Sequence, residues 1–173
     1  MLNESTASKL RDMHLGVMAQ AFKDQLTNSD MTSLSFEERF GLLVDTEWTG
    51  RKNNHLLRLV KSADYAIPGA CVEDIEYLPG RQLDKAQISR LATCGYVMEK
   101  HNVIILGATG VGKTFVACAL GMAASRNFLS VRYVRLPDLL TELAIARGDG
   151  SYRKVMKQYK QVKVLILDEW LLH

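Results

Sequence analysis

The chain has 173 residues, 47% of them apolar and 24% charged, with a formal net charge of +3. That balance excludes wholesale disorder and bounds the chain at one domain, or one domain with an appendage. The charge is uneven: residues 1–100 carry 12 basic and 14 acidic side chains, residues 101–173 carry 10 and 5. A basic second half is compatible with a polyanionic partner.

Cys71, Cys94 and Cys118 stand more than twenty residues apart with no C-x-x-C pair, which excludes a disulfide framework or a zinc cluster. The first residues lack a basic segment followed by an apolar one, and the longest aliphatic runs, 103–106 and 164–167, are too short to cross a bilayer. A reduced, cytoplasmic protein is predicted. His14, His55, His101 and His173 fall on separate predicted elements and share no ligand spacing.

From Leu10, the apolar positions Leu10, Met13, Val17, Met18, Ala21, Phe22 and Leu26 return at helical spacing and predict one amphipathic helix facing a core. Asn28, Ser29 and Asp30 interrupt it. Ser35 and Glu38 have the S-x-x-E spacing of a capping box, opening a second helix through Phe36, Phe40, Leu43 and Val44. A third helix is predicted over 54–62. Ile67-Pro68-Gly69-Ala70, the acids Glu73, Asp74 and Glu76, and Pro79-Gly80 predict a surface connector over 63–82. Asp84 can cap the next helix, with Gln87 completing a box and Leu83 and Ile88 at the spacing of a hydrophobic staple. Ile88, Leu91, Gly95 and Met98 carry that helix to about Lys100.

Beyond it the period changes. Residues 102–107 predict a strand, 113–126 a helix, 130–134 a strand, 137–147 and 152–159 helices, and 162–167 a strand. Strands alternating with helices predict an α/β fold with a parallel sheet. The chain is accordingly divided into an all-helical region, 1–80, and an α/β region, 81–173.

Between the strand at 103–106 and the helix beyond it lies Gly107-Ala108-Thr109-Gly110-Val111-Gly112-Lys113-Thr114. This is the G-x-x-x-x-G-K-T phosphate loop, in its required strand–loop–helix setting. Phosphate oxygens approach the main chain closely there, so glycines replace residues with a Cβ, and successive amides form an anion nest at a helix N-terminus. Lys113 is predicted to reach the β- and γ-phosphates of ATP, and Thr114 to ligate Mg²⁺. Residues 164–167 then supply four aliphatics before Asp168 and Glu169. Asp168 is predicted to hold Mg²⁺, directly or through water, and Glu169 to polarise the attacking water.

With GATGVGKT followed by FVACALGMAA, then VLILDEWLL, behind a region containing LRDMHLGVMAQAF, the chain resembles the IstB-like transposition helper ATPases. These are AAA+ P-loop NTPases related to the DnaC-type helicase loaders. The resemblance covers nearly the whole chain. It implies ATP-dependent assembly on double-stranded DNA, assistance to a transposase, and self-association of the full-length form. By position, Gly107, Gly110, Gly112, Lys113 and Thr114 match the nucleotide loop, Asp168 the magnesium acid and Glu169 the catalytic glutamate.

The resemblance also implies a departure. Proteins of this class continue past the second acidic motif with a polar sensor and with arginines acting on a neighbour's ATP, whereas this sequence ends five residues after Asp168. In the sheet order 5-1-4-3-2 that the class implies, the strand between 103–107 and 164–168 is missing. The expectation is a C-terminally truncated chain with an incomplete sheet, unpaired edges, and weak or absent hydrolysis.

Arg51, Lys52, Arg58 and Lys61 form a basic run without an acid, with Leu57 and Val60 facing the core; they are the predicted DNA-contacting patch. A second run, Arg153, Lys154, Lys157, Lys160 and Lys163, precedes the last strand. Tyr96 and Tyr133 are placed in the core, with adenine stacking as the lesser alternative. Two other functions stay open: a DnaC-like replicative helicase loader, and a non-enzymatic remnant that binds DNA or a homologue.

Overall fold

The computed structural model describes residues 2–78 and 80–170, the Leu2 side chain excepted. Pro79 of the predicted Pro79-Gly80 punctuation and His173 lie outside the described residues. By contacts the chain divides into two compact units, 1–55 and 56–173, so residues 56–80 belong with the α/β core rather than with the helices before them.

The first unit contains α1 (Leu2–Asp12), α2 (Gly16–Thr27), a 3-10 turn (Ser29–Ser33) and the start of α3 (Phe36–Ala63). α1 and α2 pack together, with Ala7 and Ala19 fully buried. The single helix expected from Leu10 to Leu26 is two helices. His14 adopts φ 60°, and the amides of His14 and Leu15 bond back to the carbonyls of Arg11 and Leu10, both at 2.8 Å, closing α1 in a Schellman turn.

The Ser35–Glu38 box forms as predicted: the Ser35 amide donates to Glu38 Oε2 at 2.8 Å, and the Glu38 amide donates to Ser35 Oγ at 3.2 Å. The two helices expected after it are one, the 28-residue α3, because no proline or left-handed residue interrupts 36–63. Leu57, expected in the core, is 66% exposed, while Val60 packs against the core.

The second unit is built around α6 (Lys113–Arg126), an almost wholly apolar helix that buries Val116, Cys118, Ala119, Leu120, Met122 and Ala124. The stretch 63–82 is not a surface connector. Tyr65, Ala70 and Ile75 are buried in the same cluster as α6, since its apolar residues recur between the turn-forming ones. Asp84 caps α4 (Lys85–Ala92) by accepting the Ala86 amide at 2.8 Å, and Leu83 and Ile88 both reach the core. The helix expected to run on to Lys100 breaks at Cys94 (φ 64°) and resumes as α5 (Gly95–Met98).

β1 (Val131–Arg135), α7 (Leu136–Gly148), α8 (Tyr152–Lys160) and β2 (Val164–Asp168) complete the unit. β1 and β2 pair in parallel, with Val131 opposite Val164 and Arg135 opposite Asp168. The strand expected over 102–107 does not form. Among the described residues no strand runs beside this segment, so it has no ladder to join. It keeps a two-residue alternation, Ile105 packing on the core while Ile104 and Leu106 are 79% and 86% exposed. The architecture is thus a P-loop α/β unit with a two-stranded parallel sheet, preceded by helices. Among the described residues no helix is long and apolar enough to cross a membrane.

Candidate nucleotide site

Residues 107–112 turn the chain from the 102–106 segment into α6. Gly110 (φ 82°) and Gly112 (φ 89°) are left-handed, a region that side chains with a Cβ avoid. No side chain caps the start of α6 at Lys113, so its first amides and the positive end of its dipole are left to the loop. Ala108, Thr109 and Val111 are exposed members of the same turn. The Lys113 ammonium folds back over it and donates to the carbonyl oxygens of Gly107 (2.9 Å) and Ala108 (2.7 Å). Both acceptors are neutral, and a phosphate oxygen is the stronger partner for an ammonium.

Thr114, the next residue of α6, meets the acidic motif. Its hydroxyl donates to Asp168 Oδ2 at 2.6 Å. The Tyr133 hydroxyl, from β1, donates to the same oxygen at 2.8 Å, and the Glu169 amide donates to Asp168 Oδ1 at 2.8 Å. Burial pushes the Asp168 carboxyl up. The Thr114 hydroxyl, Glu169 amide, Tyr133 hydroxyl and Lys113 charge together outweigh it and hold the group below the usual carboxylate range. Burial raises the Tyr133 hydroxyl, and the adjoining Asp168 carboxylate raises it further, so this phenol remains a donor.

Glu169 follows at φ 55°, an uncommon conformation for a residue with a side chain. Its Oε2 lies 2.6 Å from Arg135 Nη2, and the same guanidinium stands 3.8 Å from Asp138 Oδ2. The pairing ties this carboxylate to the end of β1.

The hydroxyl of Thr114 and the carboxylate of Asp168 are hard oxygen donors. Among the described residues no group of three His, Cys, Asp or Glu could hold a metal by itself. Mg²⁺ commonly takes one or two protein oxygens and completes its shell with phosphate and water, so this donor pair fits that ion. When bound there, Mg²⁺ supplies neutralisation of phosphate charge.

Arg81 is a participant that sequence reasoning missed. It bridges the carbonyls of Glu76 (2.9 Å) and Val111 (2.8 Å), tying the preceding segment to the phosphate loop. No motif marks it. Tyr133 does lie in the core, but its hydroxyl contact with Asp168 follows from strand pairing that composition does not carry.

The predicted DNA-contacting residues all lie on α3. Arg51 bonds Glu47 Oε1 at 2.7 Å and the His14 carbonyl at 2.8 Å. Lys52 sits over the Trp48 ring, 4.8 Å from its centroid. Arg58 and Lys61 follow on the same helix, and most of the second basic run lies on α8.

A family model described as IstB-like ATP binding protein matches residues 8–173. The chain is 45% identical over 170 residues to the insertion sequence IS1162 ATP-binding protein of Pseudomonas fluorescens, covering 98% of this chain and 74% of that one. It is 40% identical over 173 residues to the insertion sequence ATP-binding protein y4pL of Sinorhizobium fredii, covering 98% and 69%. It is 29% identical over 167 residues to the insertion sequence IS21 ATP-binding protein of Pseudomonas aeruginosa, covering 96% and 61%. With the phosphate loop and the acidic strand end brought together in one site, and the family match running over almost all of its length, the chain belongs to the IstB-like ATP-binding proteins.

Proposed function

We propose that this protein is an ATP-binding helper of insertion-sequence transposition. It holds ATP with Mg²⁺ through residues 107–114 and Asp168, contacts double-stranded DNA through Arg51, Lys52, Arg58 and Lys61, and assists a transposase. The helices α1 to α3 carry the DNA and partner contacts, and 81–173 carries the nucleotide; the full-length form self-associates. The observation that carries the reading is the 2.6 Å contact between Thr114 and Asp168, which unites two motifs 54 residues apart. The relatives named as insertion-sequence ATP-binding proteins support the transposition setting over the helicase-loader one.

Hydrolysis in this reading is slow or absent. The support is Glu169, whose carboxylate is engaged by Arg135 at 2.6 Å. A neighbour's arginine, a device typically contributing about 10³–10⁵ in rate, enters only on self-association.

Calorimetry with ATP or ADP plus Mg²⁺ tests the core of the proposal. Saturable heat that is lost in Lys113→Ala is expected; no heat from the folded wild-type protein refutes it. Robust steady-state turnover sensitive to Lys113→Ala overturns slow hydrolysis alone. Neutralising Arg51, Lys52, Arg58 and Lys61 flattens the salt dependence of duplex binding by about 0.9 in log–log slope for each phosphate no longer neutralised. An unchanged slope removes these residues from the DNA interface.

A further inference from the structure

The Asp168 carboxylate has about four lone-pair sites, and their occupation is asymmetric. Among the described residues, Oδ2 accepts two hydroxyl protons, from Thr114 at 2.6 Å and Tyr133 at 2.8 Å, while Oδ1 accepts only the Glu169 amide at 2.8 Å. By donating its proton to Asp168, the Thr114 hydroxyl keeps its own lone pairs available. Tyr133 is built for a fixed position. It lies in the middle of β1, opposite Ile166 of β2, and is 8% exposed in the α6-centred core.

We infer that Tyr133 is a positioning residue for the magnesium acid: its hydroxyl fills the second site on Asp168 Oδ2, so that Oδ1 is the oxygen left to meet the cation or its water. The inference rests on the nucleotide-binding reading above and adds a third residue to it. Two hydroxyls on one oxygen, arriving from α6 and β1, fix both the rotation and the tilt of the carboxylate. Without Tyr133, Oδ2 keeps one hydroxyl, from Thr114, beside the Glu169 amide on Oδ1, and the tilt of the carboxylate toward β1 loses its only anchor among the described residues. Groups that orient a metal ligand in this way typically matter about 10- to 100-fold in metal affinity.

Tyr133→Phe keeps the ring that fills the core and deletes only the hydroxyl. Nucleotide affinity is measured for wild type and variant by calorimetry, with Mg²⁺ and again in EDTA, and Mn²⁺ binding to the nucleotide complex is followed by electron paramagnetic resonance. The expected result is unchanged affinity in EDTA, with a loss of about tenfold or more in the strengthening by Mg²⁺ and in Mn²⁺ affinity. Equal Mg²⁺ strengthening in both proteins overturns the inference and leaves the nucleotide site standing. Equal losses with and without Mg²⁺ also overturn it, because Tyr133 is then only a packing residue. Absence of nucleotide binding by the wild type overturns the functional reading itself, and this inference with it.

Discussion

Gly121 lies within α6, and a Cβ placed on it meets Ile166 Cδ1 and Tyr65 Cε1, each at 2.7 Å, with the Tyr65 hydroxyl at 3.3 Å. In Gly121→Ala, helix propensity favours the variant by about 1 kcal/mol, and overpacking opposes it by about 1–3 kcal/mol. Which effect wins depends on whether the neighbours can yield. The end of Ile166 can turn away, at about 0.5–1.5 kcal/mol if it leaves its rotamer. The Tyr65 ring cannot yield so readily. It is 6% exposed, and its hydroxyl is joined to Ser125 at 2.8 Å, a bond contributing about 1 kcal/mol. The net expectation is a destabilisation of about 1–3 kcal/mol, read as a lower urea midpoint with an unchanged slope by far-UV circular dichroism. Adding Ile166→Val removes the Cδ1 atom and is expected to recover part of the loss, a non-additivity of neighbours. A Gly121→Ala protein as stable as wild type, or more so, refutes the reasoning, because helix propensity then outweighs the contact.

Three further outcomes follow from other contacts. Glu47, 6% exposed, accepts the Met18 amide at 2.8 Å in the first turn of α2, which has no side-chain cap of its own, and pairs with Arg51; Glu47→Ala is expected to cost about 1–3 kcal/mol in urea unfolding and Glu47→Gln less. Arg135→Ala releases Glu169, and steady-state ATPase is expected to rise about tenfold or more with nucleotide affinity unchanged; lower turnover shows instead that Arg135 holds the glutamate productively. Asp168 is held below its unfolded value, so its contribution to stability is present above about pH 4 and is lost as pH falls through the lower folded value. Asp168→Asn is therefore expected to flatten the fall of melting temperature with acid in that range, and an unaltered acid limb contradicts the assignment.

The phosphate loop is legible in the sequence because its chemistry is local. Gly110, Gly112 and Lys113 act through backbone freedom and reach within a few residues, and the loop turns into α6 there although the strand expected before it does not form. The Ser35–Glu38 box and the Asp84 cap are legible for the same reason. The site contacts of Tyr133 and Arg135 are not. Strand period places both on one face of β1, but their meeting with Asp168 and Glu169 depends on the parallel register that sets Arg135 opposite Asp168. A slip of one residue would turn both side chains to the other face, and nothing local to 131–135 specifies that register.

Helix ends divide along the same line. α1, α5 and α6 each end on a left-handed residue that is not glycine: His14 (φ 60°), Lys100 (φ 58°) and Phe128 (φ 58°). After each, one amide reaches back five residues, from Leu15 to Leu10, His101 to Tyr96 and Leu129 to Ala124, the closure that glycine usually marks. For residues with a Cβ this conformation costs about 1–2 kcal/mol, so the cost must be met by contacts beyond the turn. Leu129 packs on the core at the end of α6, tying that stop to tertiary packing. The apolar period across 10–26 continues through His14 without a break, which is why periodicity predicts one helix where two form. A stop held by packing leaves no glycine behind, so periodicity alone overextends a helix wherever the core, rather than the local residue, ends it.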